Sequence, residues 1–104
     1  MNDLLKPWVP IPAATATAVE RELPLELSAR HSLQGIRCRA LAMRQDCDDV
    51  LFATPDAEQP FAVVHLTWSG HPDQNEGWPW TIYFDSLDSW RRDCMIPDHG
   101  DFSA

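Results

Sequence analysis

The sequence predicts an α+β fold: a four-stranded antiparallel meander sheet with two short N-terminal helices and one C-terminal helix. Residues 36–84 contain four short segments rich in β-branched and aromatic side chains, separated by polar turns. The turns at 45–49 and 55–60 are too short for parallel crossovers, which need about a dozen residues. Helical apolar spacing flanks this region on both sides. We expect the helices to cover one face of the sheet.

The first 12 residues are expected to form an extended, proline-rich arm on a single domain that spans residues 1–104. Prolines at positions 7, 10 and 12 favour a polyproline-like conformation. The same prolines interrupt the place where the apolar helix of a secretory signal would lie. No apolar run approaches the ~20 residues of a membrane-spanning helix. The sequence therefore predicts a cytoplasmic protein that has no membrane partner.

Two short helices are expected between the arm and the sheet. Residues 13–22 are rich in alanine, and Thr17 followed by Glu20 fits a capping box. Pro24 is expected to interrupt this helix and to begin a second one, because the first helical position needs no backbone donor. That second helix would run to about Arg30.

The four strands are expected at residues 36–43, 50–54, 61–68 and 80–84. The third strand alternates most clearly, and one of its faces would carry Ala62, Val64, Leu66 and Trp68. His65 falls on the opposite face of the same strand.

A C-terminal helix follows the last strand. Asp85 or Ser86 would cap it, and Pro97 would end it. Its buried face is marked by apolar side chains at helical spacing, namely Leu87, Trp90 and Cys94.

The charge of the chain is negative and unevenly placed. The net charge is −8, and residues 46–104 alone hold twelve acidic residues against two arginines, a net charge of −10. Such a surface repels phosphate backbones, so nucleic-acid binding is disfavoured. It suits a basic protein partner, although solubility alone is the commoner explanation.

The three cysteines predict free, buried thiols rather than a disulfide framework or a zinc knuckle, because no pair has CxxC spacing. Cys47 lies between Asp46 and Asp48-Asp49, and these carboxylates disfavour its thiolate. We therefore expect a poor nucleophile, in a turn whose acids pair with an arginine at position 37, 39 or 44.

Aromatic and ionisable side chains mark two groups of candidate binding residues. Trp68 and Trp90 fit buried faces, whereas Trp78 and Trp80 flank Pro79 and are expected to be exposed, as a platform for a ligand or an anchor for a partner. The second group, which could supply a base or metal ligands, contains His65, His71, Asp98 and His99. No diagnostic metal, hydrolase or phosphate-binding motif accompanies it, so we predict no catalytic residue, no metal and no cofactor.

Several segments resemble a family of small, uncharacterised bacterial proteins. The resemblance covers about residues 20–102 and is carried by DDVLF at 48–52, AVVHLTWSG at 62–70, WP at 78–79, Trp90 and MIPDH at 95–99. It implies a bacterial, cytoplasmic setting and no known activity. It also draws attention to His65, Trp68, Trp78, Asp98 and His99.

We therefore predict a small acidic protein-interaction module that uses its acidic surface and the tryptophan-rich loop. It would act as an inhibitor-like or immunity-like protein on a basic partner, or as a homodimer. The alternative is a small enzyme or a metal- or ligand-binding protein built on His65, His71, Asp98 and His99. We favour a role without catalysis.

Overall fold

The computed structural model describes residues 1, 3–73 and 78–103, which form a five-stranded antiparallel sheet with a helix on each face. The C-terminal helix, here α2, is α-helical at both ends and π-helical in its middle. The elements in chain order are β1 (Trp8–Pro10), α1 (Ala13–Glu26), β2 (Arg39–Arg44), β3 (Asp49–Ala53), β4 (Phe61–His65), β5 (Thr81–Phe84) and α2 (Leu87–Trp90, Arg91–Met95 and Ile96–Ser103).

The predicted strand number is wrong, although the α+β class is right. The arm contributes a strand, β1, which pairs antiparallel with β2 so that Trp8 lies opposite Arg44. The sheet order is β1-β2-β3-β4-β5, and every neighbouring pair is antiparallel. Pro10 disfavoured a strand prediction for β1, because a proline has no backbone N–H to donate. It is tolerated there because β1 lies at the edge of the sheet.

The prediction of two N-terminal helices is also wrong. A single helix, α1, runs from Ala13 through Pro24 to Glu26. Pro24 lies in the last turn and removes one backbone hydrogen bond of the helix, but the burial of Leu23 and Leu27 holds this turn against the sheet. Thr17 does not cap the helix, since its hydroxyl donates to the carbonyl of Ala13 inside the helix.

The helix α2 begins as expected but does not end at Pro97. The Ser86 side chain accepts from the Ser89 backbone N–H, and the Ser89 hydroxyl accepts from the Ser86 backbone N–H, which completes a capping box. Beyond this cap the helix continues past Pro97 to Ser103. The π-helical segment immediately before Pro97 widens the helix, and this makes room for the proline ring.

The helices cover opposite faces of the sheet, not one face as predicted. One core lies under α1 and contains Val19, Leu23, Leu27, Leu33, Val50, Phe52, Ala62, Val64 and Leu66. The other lies under α2 and contains Trp8, Ala42, Leu51, Val63, Phe84, Trp90 and Met95. In the second core the rings of Trp8 and Trp90 meet edge to face, with centroids 5.2 Å apart and planes at 84°. None of the described helices combines the length and the apolar character needed to cross a bilayer.

Candidate functional site

A cluster of three different ligand-type side chains lies where β3 begins and β4 ends. Asp49 is the first residue of β3, and His65 is its partner at the end of β4. The His65 Nδ1–H donates a 2.6 Å hydrogen bond to the Asp49 carboxylate. Cys47 lies in the turn before β3, and one ligand atom from each of these three side chains lies within 4.8 Å of the others.

The strand register explains why Asp49 and His65 meet. The Leu66 N–H donates to the carbonyl of Asp48, so the neighbouring pair of Asp49 and His65 exchanges no backbone hydrogen bond. Side chains approach most closely at such non-hydrogen-bonded positions of an antiparallel pair. The backbone pairing of β3 and β4 therefore brings the side chains of Asp49 and His65 together.

Cys47 is exposed, not buried as predicted, and its environment does not activate it as a nucleophile. Partial desolvation raises the pKa of its thiol, and the carboxylates of Asp49 and Asp46 add to this. The backbone N–H of Asp49 acts in the opposite sense, because it stabilises the thiolate. The cavity beside Cys47 has a volume of only about 50 Å³, too small for an organic substrate.

The turn that carries Cys47 is fixed by an ion pair of the kind predicted. Arg44 binds both carboxylate oxygens of Asp46, each at 2.9 Å. The sequence left three candidate arginines open, and the structure selects the one at the end of β2.

Trp80 lies beside the cluster, on the same face of the sheet. The His65 N–H donates a 2.9 Å hydrogen bond to the Trp80 carbonyl, which places these two residues opposite each other. The Trp80 side chain is 52% exposed, and Ile82, two residues along the same face, is 37% exposed. Trp78 is 37% exposed as well, so the expectation of an exposed tryptophan pair at these positions holds.

The outer edge of the sheet runs along β5. Because Trp80 is hydrogen-bonded to β4, the backbone N–H and C=O groups of Thr81 and Tyr83 point away from β4. Among the described residues, no strand covers this edge. Tyr83 also lines a cavity of about 280 Å³ on the α1 face of the sheet, together with Ser32, Ile36, Asp56, Ala57, Glu58 and Gln59.

Trp68 was expected on a buried face, but it is 47% exposed. Strand β4 ends at His65, and the buried carboxylate of Glu26 accepts the backbone N–H groups of Thr67 and Trp68, both at 2.8 Å. These bonds hold Trp68 in a left-handed conformation, with φ of +59°. Trp90, in contrast, is fully buried as predicted.

Asp98, one of the remaining predicted site residues, has a structural role. Its carboxylate accepts from Trp8 Nε1 at 2.9 Å, faces an Arg44 guanidinium nitrogen at 3.3 Å and accepts from the Cys94 thiol at 3.5 Å. Burial, followed by the Asp98 carboxylate, raises the pKa of Cys94 to about 12. This group connects β1, β2 and α2.

The other two predicted histidines bind backbone carbonyls in other places. His99 donates from Nδ1 to the carbonyl of Lys6 at 2.7 Å. His71 donates from Nδ1 to the carbonyl of Pro72 at 3.1 Å. His65 therefore joins Cys47 and Asp49, while the structure gives His71, Asp98 and His99 other partners.

No family model, curated protein or solved structure matches the chain. The resemblance to small bacterial proteins therefore stays a prediction. The candidate site rests on the geometry alone.

Sequence analysis missed three contributors to this region: Asp49 as the partner of His65, Cys47 as a member of the cluster, and Ile82 beside Trp80. The predicted turn at 55–60 gave the wrong register for Asp49, because counting outward from it places residue 50 opposite residue 65, whereas the observed partner of His65 is Asp49. The carboxylates beside Cys47 predict a poor nucleophile, and no motif spacing connects this residue to His65 as a metal ligand. Ile82 lies in the predicted strand at 80–84, and its exposure does not follow from the strand pattern.

Proposed function

We propose that this chain is a protein-interaction module that binds an extended, basic segment of a partner protein along β5. The observation that carries the proposal is the composition of the two sides of this edge. Exposed apolar side chains lie on one side, and a cavity with two acidic residues lies on the other. The outward backbone groups of Thr81 and Tyr83 lie between them.

A partner strand added to β5 would use main-chain hydrogen bonds for affinity and alternate side chains for specificity. Side chains of a strand alternate between its faces. Every second side chain of the partner would therefore approach Trp80 and Ile82, and the others would approach Asp56 and Glu58. A segment in which apolar residues alternate with lysine or arginine matches both sides.

The overall charge supports a basic partner rather than a second copy of this chain. Each copy carries a net charge of −8, so two copies repel each other, whereas a basic segment is attracted from a distance. The acidic residues that line the cavity, Asp56 and Glu58, add a local attraction. A cytoplasmic location is part of this proposal and is supported by the three cysteines, all of which are free.

The test is a titration with a short synthetic peptide of alternating lysine and valine, followed by calorimetry or fluorescence anisotropy. We expect saturable binding that weakens as salt is added, because the attraction is partly electrostatic. A peptide of alternating glutamate and valine is the matched control and should not bind. Equal binding of both peptides would contradict the proposal.

Variants locate the binding surface. Replacing Trp80 and Ile82 together by alanine should abolish the binding, since both side chains are exposed and make the apolar half of the surface. The control is Ile96→Ala, which removes a side chain of similar exposure, 54%, from α2. Retention of peptide binding in the Trp80 and Ile82 double variant would overturn the proposal. A homodimer that this double variant dissociates would overturn it as well, in favour of a second copy as the partner.

A further inference from the structure

We propose that Cys47, Asp49 and His65 bind a zinc-class divalent metal ion. The ligands would be the Cys47 sulfur, an Asp49 carboxylate oxygen and a ring nitrogen of His65. This site is independent of the proposed peptide surface, and either can exist without the other.

The ligand types select the class of ion. Zinc binds thiolate, imidazole and carboxylate together, whereas calcium and magnesium take oxygen ligands. A single set that combines sulfur, nitrogen and oxygen therefore favours a borderline ion such as Zn²⁺ or Co²⁺ over a hard one.

The geometry is close to what such an ion needs. Zinc–ligand bonds of about 2.0–2.3 Å in a tetrahedron place the ligand atoms roughly 3.3–3.8 Å apart. The three ligand atoms already lie within 4.8 Å of one another. Asp49 and His65 lie opposite each other in the strand register, and an ion would replace the proton that they share at 2.6 Å and move the two ligand atoms apart. Rotation of the exposed Cys47 side chain would bring its sulfur to the same ion. The exposure of Cys47 and His65 leaves the fourth position open to water or a ligand.

The surroundings support the same assignment. The Asp49 backbone N–H points to the Cys47 sulfur and would stabilise a metal-bound thiolate. The Arg44–Asp46 ion pair holds the turn just before Cys47 and keeps the Asp46 carboxylate occupied. The site thus combines two ligands on paired strands, Asp49 and His65, with one ligand in a turn, Cys47.

The test is a titration of the metal-free, full-length protein with Zn²⁺ by calorimetry and with Co²⁺ by absorption. We expect one ion per chain and a cobalt spectrum that contains a thiolate-to-metal charge-transfer band. Cys47→Ser should remove that band and weaken zinc binding by about tenfold or more, and His65→Gln should weaken zinc binding similarly.

Matched controls use the same residue types outside the cluster. Cys94→Ser and His99→Gln should leave the stoichiometry, the band and the affinity unchanged, since their side chains contact Asp98 and the Lys6 carbonyl. Circular dichroism confirms that each variant is folded, and Asp49→Asn offers a further substitution of nearly unchanged volume. No thiolate band, unchanged affinity in Cys47→Ser, or an equal loss in Cys94→Ser would each overturn the proposal.

Discussion

The backbone N–H of His65 donates a 2.9 Å hydrogen bond to the carbonyl of Trp80, so the cluster of Cys47, Asp49 and His65 and the exposed tryptophan lie side by side on one face of the sheet. His65 is thus the cross-strand neighbour of Asp49 on one side and of Trp80 on the other. The two proposed sites are therefore neighbours on the sheet, although they depend on different atoms. The metal site needs the side chain of His65, whereas the peptide surface needs the outer edge of β5.

The buried carboxylate of Glu26 is predicted to stabilise the loop after β4. Glu26 is 2% exposed and accepts hydrogen bonds from the backbone N–H and hydroxyl of Thr67 and from the backbone N–H of Trp68. In Glu26→Gln, the backbone N–H of Thr67 or Trp68 faces the amide nitrogen, which cannot accept a hydrogen bond. We expect a loss of about 1–3 kcal/mol in the free energy of unfolding, measured with urea. Glu58→Gln, at an exposed position, should change it little. No difference between the two variants would contradict this role.

The titration of Glu26 should contribute to the pH dependence of the free energy of unfolding. Burial and the neighbouring Glu22 raise the pKa of Glu26 above its ordinary value of 4.5. The folded state therefore binds this proton more tightly than the unfolded state, so the contribution to stability is fully present below pH 4.5 and is lost as the pH rises through the raised pKa.

The comparison of wild type with two variants isolates this effect. The stability of the wild type relative to Glu26→Gln should fall as the pH rises from acid to neutral. In Glu22→Gln the pH dependence due to Glu26 should be weaker, because one cause of its raised pKa is removed. A relative stability that instead rises with pH would show that the pKa of Glu26 is lowered in the folded state.

The left-handed backbone at Trp68 predicts an unusual order of stability among substitutions. A Cβ atom at φ of +59° is unfavourable, whereas glycine adopts this conformation freely. We expect Trp68→Gly to be more stable than Trp68→Ala by about 1 kcal/mol in thermal or urea unfolding. Thr17, inside α1, gives the control, since there the alanine variant should be more stable than the glycine variant. The same order at both positions would exclude the left-handed conformation at Trp68.

Asp98 is predicted to matter for stability more than for binding. Asp98→Ala removes the acceptor of the buried Trp8 indole and a partner of Arg44. We expect a loss of about 1–3 kcal/mol in the free energy of unfolding, because a buried donor is left without a partner. Asp101→Ala, at an exposed position of the same helix, should be nearly neutral. Equal stability of the two variants would show that the Trp8–Asp98 hydrogen bond is not important.

The sequence was informative where local patterns decide the structure. Strands β2 to β5 lie within or next to the predicted segments, because alternating apolar side chains and short polar turns specify an antiparallel meander. The Ser86 cap and the buried Trp90 follow from helical spacing and capping chemistry in the same way. These features depend on residues close together in the chain.

The errors arose where distant residues decide the outcome. Glu26 captures the N–H groups of Thr67 and Trp68, which ends β4 early and turns Trp68 outward. Pairing with β2 makes a strand of the arm despite Pro10. A register fixed across two strands brings Asp49 to His65. Local sequence propensities do not encode these long-range contacts. The strand number, the exposure of Trp68 and the meeting of Asp49 with His65 could therefore not be derived from them.

The most direct test of the proposed function is an NMR titration of the full chain with the lysine-valine peptide. If the peptide adds a strand to β5, the amide signals of Thr81 and Tyr83 shift together with the Trp80 indole signal. Nuclear Overhauser contacts then connect the peptide backbone to Thr81 and Tyr83. Shifts confined to α1 or α2, with no contact between the peptide backbone and β5, would contradict the account.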